Sequence, residues 1–445
     1  MLALWPVGGN RAFGAVAFPG AEGFGAMATG GRGKTVYHVT NLNNSGTGSF
    51  RDAVSQGNRT VVFDVGGVVN ITSQVPIASN ITIAGQTAPG GIAVYGDGVS
   101  LSGRSNVIVR YMTFRQGIAS GSGDKALNMT GSSNIIIDHT SVGWGRWDNV
   151  GITDNASDIT VQNSLIHEAI NDQRFGMIVD SSRRLTFARN LFSNNQGRNP
   201  KGKGDLQFIN NVVYDWRNYG YGGGHSSADW YQDLINNYFI AGKASNTSFI
   251  SDFADTDQIY NSGNYVDLDK VDTGNDKLPE GRLVTDGDFT RLTATARAAS
   301  YNKPTVPVTV VSALQAYKNM IDDVGNSLNR DSVDERQISH LLSLGTLGYI
   351  PADETQVGGM PTWTGGAALL DTDKDGIPNA WELAKGLNPN SAADGSLITA
   401  SGYSNFELYA NSIVAVPEPS ALGLLAFGGV GLLRRHRARA SQPSS

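Results

Sequence analysis

The sequence predicts an all-β protein coiled as a parallel β-helix, and three observations carry that prediction. Short apolar strands recur: Asn80-Ile-Thr-Ile, Asn106-Val-Ile-Val, Asn134-Ile-Ile-Ile, Asp158-Ile-Thr-Val and Arg184-Leu-Thr-Phe follow one another at steps of 26, 28, 24 and 26 residues. The pairs Arg189-Asn190, Asn210-Asn211, Asn236-Asn237 and Gly263-Asn264, each followed by two apolar residues, continue the register at steps of 21, 26 and 27. The composition agrees, since 55 glycines and 36 asparagines in 445 residues favour short strands joined by turns. A period in this range marks a solenoid. Strand, polar turn and strand fill each unit without room for a helix, so leucine-rich and helical repeats fit badly.

The chain is 40% hydrophobic and 17% charged and has no cysteine, so it can bury a large core but makes no disulfide. Lys+Arg 34 against Asp+Glu 40 gives a formal charge of −6, which lacks the basic balance of a nonspecific nucleic-acid binder.

Residues 1–17 read as a signal region whose basic and apolar parts are cut short: Arg11 is its one basic residue, and Ala15-Val16-Ala17 has the small-x-small form of a cleavage site. Residues 18–290 hold the repeat. Within it, Asn190, Asn211, Asn237 and Asn264 fall at one turn of successive coils. A side-chain amide both donates and accepts, so these four are expected to form a hydrogen-bonded ladder along the solenoid axis.

The pattern changes at residues 291–354. Ser312 is an N-cap candidate before a stretch of helical spacing that ends at Ile321, and Asp331 opens a second, acid-rich first turn. These helices are expected to close the open end of the solenoid. Residues 355–366 read as a linker.

Residues 367–415 contain Asp371-Thr-Asp373-Lys-Asp375-Gly376-Ile377-Pro-Asn379-Ala-Trp-Glu382. Oxygen ligands at positions 1, 3, 5, 9 and 12, the Ile377 carbonyl at position 7 and glycine at position 6 are what wrapping a short loop around a hard cation requires. The loop resembles the calcium loops of thrombospondin type 3 and dockerin-like segments, without an EF-hand helix before it. A structural calcium is expected here. At 416–445, Val416-Pro417-Glu418-Pro419, a short apolar run and Arg434-Arg435-His436-Arg437 resemble the PEP-CTERM sorting signal. The resemblance implies a bacterial protein exported to the exterior or cell surface, with membrane contact only through this tail.

Other motifs fail on inspection. Gly33-Lys34-Thr35 lacks the earlier glycine of a phosphate-binding loop, because Ala28 stands there. His167-Glu168 has no second histidine at zinc-protease spacing, and no Gly-x-Ser-x-Gly elbow occurs.

The segment from Asn190 to Lys203, with Arg198-Asn-Pro200-Lys-Gly-Lys203, resembles the Arg-x-Pro-x-x-Arg segment of the family 1 pectate lyases. Supporting stretches are Ala17-Phe-Pro-Gly-Ala-Glu-Gly-Phe-Gly25, Gly46-Thr-Gly-Ser-Phe-Arg-Asp52, Gly85-Gln-Thr-Ala-Pro-Gly-Gly91, Asn106-Val-Ile-Val-Arg-Tyr-Met-Thr-Phe-Arg115 and Ile137-Asp-His-Thr-Ser-Val-Gly-Trp144. The resemblance spans residues 17 to 340. It implies a right-handed, single-stranded parallel β-helix with a C-terminal helical and calcium-loop extension, and β-elimination on polygalacturonate. Calcium and cationic side chains then stabilise the charge that develops beside the abstracted C5 proton.

Carried over by position, Arg198 stands where that family has its base. Lys203 replaces the second arginine, keeping the charge and losing the bidentate fork. Asp124 and Asp148 match ligands of the catalytic calcium, while Asn149 and Gly151 or Ile152 occupy places where relatives carry further acids. His139 belongs to the Ile-Asp-His signature and is taken as substrate-binding. The substrate-binding lysine has no clear counterpart, Arg174 being the nearest cation. The expected partner is polygalacturonate or pectin, and the expected state a monomer. A pectin lyase acting on methylated substrate, a polygalacturonase-like hydrolase and a noncatalytic polysaccharide-binding β-helix are the competing readings. Asp124 and Asp148 argue against the first, and the Asn-Thr-Asp, His-Gly and Arg-Ile-Lys sets of the second are missing.

Overall fold

In the computed structural model, which describes residues 14–121, 123, 125–224 and 228–414, the chain winds into a parallel β-helix whose cross-section has three sides. One side stacks the strands singled out by the repeat: Ile81 pairs with Val107, which pairs with Ile135, then Ile159, Leu185, Leu206, Gln232 and Ile259. A second side runs from Gly67–Asn70 through Ser141–Gly143 and Val212–Trp216 to Tyr265–Asp267, where an antiparallel strand, Arg282–Leu283, ends it. The third side carries Val75–Pro76, Val99–Ser100, Leu127–Asn128, Asp148–Ile152, the first halves of Phe175–Ala188 and Lys201–Ile209, then Tyr221–Gly222 and Ile250–Ser251.

Alternation along each strand sends one set of side chains inward. Val107, Val109, Ile135, Ile137, Ile159 and Val161 are all buried in one continuous core with Phe187 and Phe208. The residue before each strand of the first side takes the left-handed conformation, with φ of 57° at Asn80, 59° at Asn106, 53° at Asn134, 56° at Asp158 and 58° at Arg184. Asparagine and aspartate tolerate that corner better than most residues, which is why the repeat was legible from them.

The asparagine ladder forms as expected. Asn190 Nδ2 donates to Asn211 Oδ1 at 3.0 Å, Asn211 to Asn237 at 3.1 Å and Asn237 to Asn264 at 2.8 Å, and all four side chains are fully buried. Each Nδ2 also donates to a carbonyl of an earlier coil, those of Val161, Phe187, Phe208 and Leu234, so turn backbone inside the core is satisfied.

The helices correct the expectation about the open end. Two short helices sit at the ends of the core: α1 (Phe50–Val54), which buries Phe50, Ala53 and Val54, and α2 (Asp286–Thr290), which inserts Phe289 against Phe253. The longer α3 (Ala313–Asp323) and α4 (Ser332–Leu342) instead lie along the flank of the second side, where Tyr317, Met320, Ile338 and Leu341 pack on Leu165, Leu191, Val212 and Tyr238. That flank exposes a row of apolar residues that only an amphipathic helix lying alongside covers. Charge fixes α4. Arg115, fully buried, pairs with Asp331 and, at 2.7 Å, with Asp334; Glu168 accepts from Arg336 and Gln337, both at 2.7 Å. The His167-Glu168 pair thus docks a helix.

Residues 355–366 also lie against the coil. Met360 packs near Trp144, and Trp363 Nε1 donates to Asp331 at 3.2 Å. Two further helices follow, α5 (Asn379–Lys385) and α6 (Asn405–Ile413). Phe406 and Ala410 of α6 join Ile377 against Val62 and Ala84 of the β-helix, and Arg32 pairs with Glu407 at 2.8 Å. No helix among the described residues is long and apolar enough to cross a membrane. The sorting-signal residues 416–445 and positions 1–13 of the N-terminal segment lie outside the described residues.

Candidate active site

The third side of the coil brings Arg198 and Asp148 together. Asp148, Phe175 and Gly197 stand in register on three successive coils. Arg198 leaves the last of these in a left-handed conformation, φ 54°, lays its guanidinium over the Phe175 ring at 4.0 Å, and reaches both Asp148 oxygens from Nη1 at 3.0 and 3.2 Å. Asp148 is almost fully buried. Burial pushes its carboxyl up, and Arg198 and then Lys125 offset part of that penalty.

Lys203 lies on the same side, its Nζ 2.9 Å from Asp180 Oδ2 of the preceding coil. Between it and Arg198 stands Lys201, a buried lysine for which no ion pair forms among the described residues. Burial lowers its ammonium pKa, and the charges of Arg198 and Lys203 lower it further. Lys201, Lys125 and Asp180 were missed in the sequence. The signal for Lys201 was present as Lys201-Gly202-Lys203-Gly204: alternation on a strand sends both lysines to one face with glycine beneath.

Gly151, where relatives carry a further acid, is covered by the stem of Lys125; a β-carbon there would collide with Cδ and Cε of that lysine. Asn149 faces inward. Its Oδ1 accepts from the Gly145 amide at 2.8 Å and its Nδ2 donates to the His167 carbonyl at 2.8 Å. Asp124 lies outside the described residues.

Arg174 and His139 do not join this cluster. Arg174 donates from Nε to the Asn171 carbonyl at 2.7 Å and from Nη1 to the Ile350 carbonyl at 3.0 Å, which ties the C-terminal extension to the coil. His139 stacks on Tyr111 at 4.7 Å, with Nδ1 2.9 Å from Asp138 and Nε2 3.2 Å from Asp323 at the end of α3. Burial opposes its charge, but Asp138 and Asp323 outweigh it and push the imidazole up to about 9.

The 371–382 loop gathers a second set of carboxylates. One oxygen each from Asp371, Asp373 and Asp375 lie within 4.8 Å of one another. Asp371 is capped by the amides of Lys374 and Gly376 at 2.8 and 3.0 Å. Asp373 Oδ2, Asp375 Oδ2 and both Glu382 oxygens are buried with no hydrogen-bond partner among the described residues, the mark of a site shaped for a cation. Ile377 is buried under Phe406, and its amide donates to Asp375 Oδ1 at 2.8 Å. Asn379 bonds within the loop: its Oδ1 accepts from the Thr372 amide and its Nδ2 donates to Thr372 Oγ1.

A family pattern described as a right-handed β-helix region matches residues 66–239, and the PEP-CTERM protein-sorting motif matches residues 415–438. The chain is 42% identical over 401 residues to a probable pectate lyase C of Aspergillus fumigatus, covering 90% of this chain and 94% of that one. It is 40% identical over 402 residues to a probable pectate lyase C of Emericella nidulans, covering 90% and 93%. In fold it is similar to a mutant of Bacillus subtilis pectate lyase, with TM-score 0.54 at 15% identity, covering 72% of this chain and all of that one. It is likewise similar to the pectate lyase of Acidovorax avenae subsp citrulli, with TM-score 0.53 at 12% identity, covering 74% and 99%. With 42% identity over nearly the full length of both chains, the chain belongs to the pectate lyase family and carries a PEP-CTERM motif at its C-terminus.

Proposed function

We propose that the protein is a calcium-dependent pectate lyase that cleaves polygalacturonate by β-elimination, leaving 4,5-unsaturated oligogalacturonates. The observation that carries this reading is the Arg198 guanidinium, 3.0 Å from buried Asp148 on the sheet side that also presents Lys201 and Lys203. Arg198 accepts the C5 proton of the sugar, a C4–C5 double bond forms, and the C4–O bond breaks with its electrons going to the glycosidic oxygen. An arginine is normally protonated, so alkaline pH favours turnover. Lys203, and with it Lys201, supplies positive charge to substrate carboxylates.

A hard cation takes six to eight oxygens, and the described acids on this side of the coil include Asp148, paired with Arg198, and Asp180, paired with Lys203. Asp148, with Asp124 by its match to the family, would hold calcium jointly with the uronate groups of the substrate. That ion supplies charge neutralisation at the carboxylate next to C5. Arg174 and His139 act by fastening the extension and α3 to the coil. The second calcium belongs in the 371–382 loop, where the unpartnered oxygens support a structural role. The sorting motif supports export and surface display in a bacterial host, through the tail.

The test is turnover on polygalacturonate and on methylated pectin at alkaline pH, with and without a chelator. New ultraviolet absorbance from unsaturated ends, greater on polygalacturonate and abolished by chelation, is expected. Reducing ends without that absorbance would mean hydrolysis and would overturn the reading.

A further inference from the structure

We infer that Asp394, outside the motif, completes the cation site of the 371–382 loop, and that the ion so held clips the C-terminal arm and α6 to the β-helix. The inference rests on the reading of that loop as a cation site. Carboxylate oxygens of Asp375, Glu382 and Asp394 lie within 4.8 Å of one another. Glu382 is fully buried and neither of its oxygens has a partner among the described residues; Asp394 Oδ1 is buried and equally unpartnered. A buried carboxylate without a donor is strongly disfavoured, and the shared position of these orphaned oxygens points to one hard cation.

The backbone supports a built contact. Gly395 is packed so closely on Asp375 that a β-carbon there would collide with that carboxylate. Asp394 Oδ2 accepts from the Asn388 amide at 2.9 Å, which leaves Oδ1 as the buried oxygen without a partner among the described residues. From Asp394 the connection runs onward into α6. Asn405 Nδ2 donates to the Asp394 carbonyl at 2.9 Å, and the Phe406 amide to the Gly395 carbonyl at 2.9 Å. Glu407 then meets Arg32, and Phe406 packs with Ile377. An ion bound by both the loop and Asp394 therefore joins two segments that each touch the coil, immediately before the chain runs on to the tail.

Terbium(III) added to the full chain tests this, with luminescence sensitised by Trp381, which precedes Glu382. A W381F chain defines the part of the signal that reports the loop. Asp394→Asn is expected to weaken that binding by on the order of tenfold or more, because it removes a charged ligand, and Asp375→Asn should do the same. If D375N weakens binding and D394N does not, Asp394 is no ligand and the inference fails while the loop reading stands. If D375N leaves binding unchanged, or W381F leaves the signal intact, the loop reading fails and the inference with it. For the clip, tryptic cleavage after Lys385 should accelerate when the wild-type protein is chelated, and D394N should be cut at the chelated rate with calcium present. Equal cleavage with and without calcium overturns the clip.

Discussion

Asp148 on the third side of the coil and Glu382 in the C-terminal loop are both buried, 1% and 0% exposed, and the protein neutralises them in opposite ways. Asp148 has a cation supplied by the chain itself, Arg198, with Lys125 close by. The loop acids face one another. Burial and then the neighbouring acids push Asp375 and Glu382 each up to about 7. A site with its own counter-charge keeps its shape without an ion, whereas a site lacking one needs the ion to hold its shape. On the proposed reading, that difference is what a site meeting calcium together with substrate, as against a site holding a structural calcium, would require.

The largest expected effect is on chemistry. Arg198→Ala should lower turnover on polygalacturonate by on the order of 10²- to 10⁴-fold, the usual range for a proton-transfer group, as read from unsaturated ends. Circular dichroism should show the coil intact. Unchanged turnover would remove Arg198 from the base role and leave this side of the coil as a binding surface.

Next is the dependence of folding on calcium. A ligand at a hundredfold excess over its Kd stabilises a fold by about 2.7 kcal/mol, so chelation should lower the melting temperature measurably. Glu382→Gln should abolish that calcium-dependent shift, and Asp148→Asn should leave it in place. A shift lost in D148N and kept in E382Q would reverse the contrast drawn between the two regions.

His139 provides a third case, in which a buried acid carries its own cations as Asp148 does. Asp138 is held well below the usual carboxylate range, because His139 and Arg110 outweigh the cost of burial. The folded-state value of His139, about 9, lies above its ordinary 6.5. Its stabilisation is therefore fully present below about pH 6.5 and is lost as pH rises through about 9. The loss should be on the order of 3 kcal/mol, seen as a falling denaturant midpoint that His139→Gln flattens. The smallest effect is expected for Lys203→Arg, which restores the bidentate fork and should lower KM a few-fold with little change in kcat.

Much of the fold was legible because a solenoid writes its period into the chain. Asn80, Asn106 and Asn134 mark corners at positive φ, and Asn190, Asn211, Asn237 and Asn264 mark a ladder that the structure reproduces bond by bond. The helices were placed correctly along the chain and wrongly in space. Nothing local in Ser312 to Ile321 states whether its apolar face meets the end of the coil or its flank. Arg198 and the 371–382 loop were legible as motifs, since their chemistry needs particular residues at close spacing.

Local pattern in the chain was enough to specify the coil, its ladder, the arginine segment and the acidic 371–382 loop, because each depends on residues close in sequence or at a regular step. Coil stacking was needed to bring Arg198 to Asp148 fifty residues away, to lay Lys125 over Gly151, to set His139 against Asp323 and Arg174 against the Ile350 carbonyl, and to bring Asp394 near Glu382. Those contacts depend on how coils stack and where the extension returns, and side chains brought together across such distances leave no periodic trace in the chain.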